Sequence, residues 1–342
     1  MKTPPSAGES FICTFYHDDI ETKPTKFRSN NVMKNTIQHS LAPFITKAAS
    51  KQTYYTIRFL VDRERVADAY RAYGYFRWVD DTLDSGSCSS QERTAFLERQ
   101  QSLLEACYRG DVFQVPTPEE QMLIELVQKD QDQNSGLQSY LHNMMKVMEF
   151  DAKRRGRLIS QAELTEYTRW LATAVTEAMH YFIGHDSYSP HNETRYLAVT
   201  GAHITHMLRD TFDDMQAGYY NIPRDVLETN HIGPQDIQSK AYCTWVKSRV
   251  QVARKCFQTG REYLARVEEP RCRLAGFAYT ARFEWLLDAI EQEQYLLRPA
   301  YAERKRLGTG LRMGLSALSA LINSSARETL HQPVVSQSLR KL

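Results

Sequence analysis

The sequence predicts an all-α protein built from long helices, and three observations carry that prediction. Turn-formers are scarce: Gly 15 and Pro 12 among 342 residues, against average usage of about 7% and about 5%. Helical periodicity is sustained from Thr53 onward. No stretch alternates apolar and polar residues between hairpin turn residues, and no repeat is found. Taken in order, residues 1–45 mix Pro, Ser, Asn and Thr with scattered apolar residues and read as a loosely ordered N-terminal arm. A single domain is expected over 46–325. Its helical segments lie near 53–84, 92–108, 117–130, 136–155, 161–184, 191–216, 234–266, 270–298 and 301–323. They are separated at Ser85-Gly86-Ser87, Val115-Pro116-Thr117, Gly184 to Pro190, Asn221-Ile222-Pro223 and Gly233-Pro234. Pro234, behind Gly233, reads as a first-turn helix proline. Residues 326–342 read as a frayed polar tail.

Composition excludes several functions. Lys plus Arg is 43 and Asp plus Glu 41, a net charge of +2, so neither a strongly basic nucleic-acid binder nor an acidic solvating tail is expected. Six cysteines occur without a C-x-x-C pair; free thiols in a reducing compartment follow. The N-terminus has no apolar signal region. No apolar run is long enough for a spanning helix. The best candidate, Leu311 to Ile322, is broken by Arg312, Gly314, Ser316 and Ser319 and reads as a core helix.

Two acidic clusters stand out. Asp80-Asp81-Thr82-Leu83-Asp84 follows Tyr73-Gly74-Tyr75-Phe76-Arg77-Trp78-Val79. On a helix Asp80 and Asp84 share one face, with Arg77 and Tyr73 on it. Asp210-Thr211-Phe212-Asp213-Asp214 follows Leu208-Arg209, with His203 and His206 on the side of Asp210. Two carboxylates about 4 Å apart repel by roughly 4 kcal/mol at an effective dielectric of about 20. The neighbours Trp78, Val79, Leu83, Leu208 and Phe212 are apolar, and a buried carboxylate must protonate, pair or bind a metal. A hard divalent cation resolves the conflict, and Mg²⁺ is usually held by one or two carboxylates, waters and phosphate oxygens. Two facing D-x-x-x-D turns would make a clamp for a diphosphate. A single such cluster reads equally as a solvated helix turn. A di-iron bundle would want Glu-x-x-His pairs, which neither cluster has.

These residues resemble the squalene/phytoene synthase family. Tyr73 to Asp84 is similar to the family's first motif, Y-x-F-C-R-x-x-D-D-x-x-D. Leu208 to Asp214, with Gly218 and Ile222-Pro223, is similar to the second, L-R-D-x-x-E-D-x-x-x-G-x-x-x-x-P. Leu286 to Glu291, with Tyr295, resembles a later helix, and Tyr167 stands where an active-site tyrosine is expected. The resemblance implies an isoprenoid-synthase fold, a single bundle of long helices around a central apolar cavity. It implies Asp80, Asp84, Asp210 and Asp214 as Mg²⁺ ligands, Arg77 and Arg209 near the diphosphates, and Tyr73 in the pocket. Mg²⁺ and arginine would neutralise the departing diphosphate, and an apolar cavity would keep water from the carbocation. Phe76, Tyr75 and Trp78 could face that cation, although core packing suits any one of them better. Farnesyl or geranylgeranyl diphosphate is the expected substrate. A cytoplasmic protein is expected, and apolar products are compatible with a loose membrane contact.

The sequence also departs from the family pattern. Ala49-Ser50-Lys51-Gln52-Thr53-Tyr54 lacks the family's flap histidine. His203 and His206 replace Gln and Asn; as buried-face histidines they read as pocket residues, structural groups, or metal ligands or proton acceptors. Met215 to Asn221 lacks the usual basic residues, and Phe283-Glu284 stands where a Tyr-Arg pair is expected. Three functions are compatible with this: head-to-head condensation of two prenyl diphosphates, single-substrate terpene synthesis of the class I type, and non-catalytic prenyl binding or assembly. The last should have lost ligand carboxylates. Reduction to squalene would need NADPH; no G-x-G-x-x-G fingerprint is present, but the family binds NADPH without one.

Overall fold

The computed structural model describes residues 41–85, 89–111, 115–130 and 132–301. Every regular element among them is helical. Residues 41–49 form α1, so 41–45, read as part of a loosely ordered arm, are helical. Then follow α2 (Lys51–Leu60), α3 (Val66–Asp84), α4 (Ser90–Arg109), α5 (Pro118–Gln128), α6 (Gly136–Arg154) and α7 (Gln161–Phe182). The second half holds α8 (Leu197–Arg209), α9 (Thr211–Ala217), α10 (Arg224–Asn230), α11 (Lys240–Leu264) and α12 (Pro270–Gln292). The expected helix at 301–323, the arm up to residue 40 and the tail lie outside the described residues.

Local chemistry sets the helix starts. Ser89, Thr117 and Ser160 each begin a helix with a reciprocal capping box, the partners being Glu92, Glu120 and Glu163. At α7, the Glu163 N–H donates to Ser160 Oγ (3.2 Å) and Glu163 accepts from the Ser160 N–H (2.8 Å). That backbone bond, reinforced by Arg157, lowers the Glu163 carboxyl to about 2. The folded value is depressed, so the stabilisation is present above the ordinary Glu pKa of about 4.3 and is lost as pH falls towards 2. Ser160→Ala should cost about 1 kcal/mol, measured by urea unfolding at neutral pH. Glu163→Gln, which removes the titrating carboxyl, should lose less stability than wild type across that acid window.

Three sequence expectations need correction. The segment 53–84 is not one helix: it breaks at Val61–Asp62, before a 3₁₀ turn at Arg63–Arg65. Asp62 is drawn out to hold the far end of α7, accepting from the Gly184 N–H (2.9 Å), the His185 N–H (3.1 Å) and Arg271 Nη2 (2.7 Å). Pro234 sits in a turn, and α11 starts at Lys240 under a Ser239 cap (Tyr242 N–H to Ser239 Oγ, 3.2 Å). The segment 191–216 divides at Asp210, whose backbone (φ −94°, ψ 7°) leaves the helical region between α8 and α9.

The interior forms two joined apolar cores, one mainly from α3 to α7 and one mainly from α8, α11 and α12. Helix α8 is buried around nearly its whole circumference, as expected of an apolar helix inside a large protein. Gly260 permits this: a Cβ there would stand 2.7 Å from the Ala198 nitrogen, so α11 and α8 approach backbone to backbone. No helix among the described residues is long and apolar enough to cross a membrane.

Candidate active site

Helices α3 and α6 run side by side from an apolar cavity to an acidic crevice. Tyr73 and Tyr140 line the cavity; seven and eleven residues on, Asp80 and Asp151 line the crevice. At 1.5 Å per residue that is about 10 and about 16 Å along the axes.

The cavity has a volume of about 200 Å³. Its wall includes Tyr73, Tyr140, Met179, Val199 and Tyr279, with Arg195 and Arg282 as its only charged groups among the described residues. Arg195 is committed elsewhere, forking onto Glu177 (2.8 and 2.9 Å) and donating to Ser189 Oγ (2.7 Å). The expected central apolar cavity is therefore present. Tyr75, Phe76 and Trp78 do not line it. Tyr75 and Phe76 are core side chains, the Tyr75 hydroxyl donating to Gln100 Oε1 (3.0 Å).

The crevice is small, about 10 Å³, close to the room one water molecule needs. Its walls carry Asp80, Asp84 and Asp151 together with Arg93, Arg155 and Tyr219. Asp80 is 2% exposed. The first acidic turn thus faces inward, with Asp80 and Asp84 on one face as their spacing requires. Asp81 points elsewhere and pairs with Arg77 (2.6 and 3.0 Å).

The second acidic turn is equally buried but does not line the crevice. Asp210 accepts both nitrogens of Arg209 (2.6 and 2.8 Å) and lies 2.8 Å from His206 Nε2. Burial raises the Asp210 carboxyl, but His206 and Arg209 more than reverse this and hold it well below the usual carboxylate range. Burial keeps His206 neutral, lowering it to about 4, with Arg209 acting in the same direction. Asp214 is pushed well up by burial and by the Asp210 charge. It accepts from Asn221 Nδ2 (2.5 Å), and Asn221 Oδ1 accepts from Arg154 Nη1 (3.1 Å).

Arg154 is the link between the two turns. It is 1% exposed, pairs with Asp151 (2.6 Å), and lies over the rings of Tyr167 (5.1 Å) and Tyr219 (4.9 Å). Burial works against its charge; Asp151 restores it, with Tyr167 and Asp214 adding to the effect. The Tyr167 hydroxyl donates to the other Asp151 oxygen (2.7 Å). The two acidic turns therefore lie on either side of the end of α6, joined through Asp151, Arg154 and Asn221. Neither Asp151 nor Arg154 belongs to an acidic motif. A signal existed: the buried stripe Tyr140, Met144, Met148 continues at helical spacing into Asp151 and Arg154, charged residues at core positions.

His203 and His206 are wholly buried and line neither the cavity nor the crevice. His203 Nδ1 bonds Thr168 Oγ1 (3.0 Å), and its ring meets Tyr167 edge-on (5.1 Å). At the departure noted on the last helix, Phe283 is buried beside His206 and Glu284 pairs with Arg261. Tyr279, four residues before Phe283, and Arg282, two before Glu284, reach the cavity instead.

Among the described residues, no group of three or more His, Cys, Asp or Glu side chains is gathered closely enough to hold a metal ion. The crevice donors are nonetheless all carboxylate oxygens, the set a hard divalent cation takes. Mg²⁺ completes its shell with waters and phosphate oxygens rather than a protein cage. In donor type the residues fit the ion.

The squalene/phytoene synthase family matches residues 46–308. Among solved structures, a squalene synthase from Alicyclobacillus acidocaldarius is similar with a TM-score of 0.60 at 18% identity, over 76% of this chain and 95% of that one. A dehydrosqualene synthase in complex with a ligand is similar with a TM-score of 0.62 at 15% identity, over 87% of this chain and 99% of that one. A search of curated proteins found no significant match.

Proposed function

The chain belongs to the squalene/phytoene synthase family, and from that premise we propose that it is a Mg²⁺-dependent enzyme joining two prenyl diphosphates head to head. The observation that carries the reading is the joint placement of Tyr73 with Asp80 and Tyr140 with Asp151: two helices present an apolar hollow at one level and carboxylates at the next. A prenyl diphosphate has the same division, an apolar chain ending in an anion.

Asp80 and Asp84 would hold Mg²⁺ from the first turn; Asp210 and Asp214 would join from the second by exchanging Arg209 and Asn221 for the ion. Bound there, Mg²⁺ would supply charge neutralisation for the leaving diphosphate. Arg77 and Arg209, each already oriented by a neighbouring aspartate, add positive charge beside the acidic turns. The apolar cavity wall would keep water from a bound chain, and Tyr73, Tyr140 and Tyr279 line it where a carbocation would need their rings. Tyr167, donating to Asp151, holds that carboxylate in place through the buried Arg154 pair. His203 and His206 position the Tyr167 ring and the Asp210 carboxylate respectively.

A second reading, single-substrate terpene synthesis, is favoured by the Glu284–Arg261 pair, which takes up a cation near the expected Tyr-Arg position. Product mass separates the two. Incubation with farnesyl or geranylgeranyl diphosphate and Mg²⁺ should give a C30 or C40 hydrocarbon, and chelation should stop it. A C15 or C20 product instead would sink condensation and establish the single-substrate reading.

A further inference from the structure

The acidic crevice also contains cations that neither acidic motif supplies. Arg93, from the first turn of α4, and Arg155, immediately after α6, stand on its walls with Asp80, Asp84 and Asp151. The segment after the second acidic motif, Met215 to Asn221, carries no positive residue. The fold brings one to it from the end of α6. Arg155 Nε donates to the Ala217 carbonyl (3.2 Å), and the Gly156 N–H donates to the Gly218 carbonyl (2.7 Å). Gly218 ends α9 at φ +88°, and the Tyr219 N–H returns to the Asp214 carbonyl (2.7 Å), which places Tyr219 on the crevice wall beside Arg155. Arg155 is exposed and Arg93 half-buried, so both can meet an arriving ligand.

We propose that Arg93 and Arg155 form an anion-binding rim at the mouth of the crevice, gripping the phosphate oxygens of the diphosphate whose accompanying cation the carboxylates hold. The proposal rests on the diphosphate reading above and names the groups that replace the missing cations after the second motif. Three carboxylates alone repel a diphosphate. Two guanidiniums cancel most of that charge and add planar donor forks that match phosphate oxygens bidentately. The Arg155 bond to Ala217 uses one of its five N–H donors and fixes the side chain at the rim.

The test is calorimetric binding of inorganic pyrophosphate, with Mg²⁺, to the full chain. Arg93→Gln and Arg155→Gln should each weaken binding on the order of tenfold or more. Arg155→Lys should recover only part of the loss, because an ammonium is a point charge. Arg157→Gln, whose side chain pairs with Glu163 at the start of α7, should bind as wild type. If the double variant Arg93→Gln/Arg155→Gln binds pyrophosphate normally while Asp80→Asn does not, the proposal is overturned and the diphosphate reading stands. Variants that melt earlier but keep their affinity overturn it too, since the arginines would then only neutralise the aspartates. A wild-type chain that does not bind pyrophosphate with Mg²⁺ overturns both.

Discussion

Asp80→Asn should reduce turnover of a prenyl diphosphate by on the order of 10³-fold, because a metal site supplies several kcal/mol of charge stabilisation and each 1.36 kcal/mol is tenfold in rate. The fold should survive. Asp80 and Asp84 are like charges at i and i+4 on α3, an arrangement that opposes the helix, so melting temperature should hold or rise slightly. Mg²⁺-dependent pyrophosphate binding should fall with activity, which separates lost ligation from general damage. Asp81→Asn is the internal comparison: Asp81 is exposed and paired with Arg77, so its effect should be far smaller. Equal losses at Asp80 and Asp81, or full turnover by Asp80→Asn, would remove the first acidic turn from the site.

Arg154→Met should destabilise the protein by about 3–5 kcal/mol, the cost of breaking a buried ion pair from one side. The reason is specific to its position. Arg154 is the buried partner of Asp151 and is joined through Asn221 to Asp214, and the burial of both carboxylates already disfavours their charge. Without the guanidinium the folded state must protonate them or expose them. The double variant Arg154→Met/Asp151→Asn should recover a large part of the loss, since it removes both members of the pair. Urea unfolding at neutral pH measures both. A loss below about 1 kcal/mol for Arg154→Met, or no recovery in the double variant, would contradict the account.

The helices and their register could be read from the chain because both are local. Ser89, Thr117 and Ser160 announce their helix starts with a Glu three residues on, and each capping box is present. Asp80 and Asp84 share one face as the helical repeat requires, and the structure turns that face inward. At Asp62, where local reading failed, a distant partner was responsible. Asp62 breaks the long second segment because the end of α7 supplies it with two backbone N–H groups. The Asp210 corner divides α8 from α9, where Arg209 and His206 converge on its carboxylate.

By itself the sequence determined an all-α chain, the shared helix face of Asp80 and Asp84 and the family motifs that contain both acidic turns; their burial came from the tertiary structure. Tertiary packing alone decided that Asp151 and Arg154 stand between the two turns, that Arg93 and Arg155 reach the crevice, that Tyr279 and Arg282 rather than Phe283 and Glu284 reach the cavity, and that His203 and His206 lie behind both. The physical reason is range. A 3.6-residue repeat states which side chains share a face, but which faces meet depends on how helices far apart in sequence pack, as in the contact between α8 and α11 that Gly260 permits.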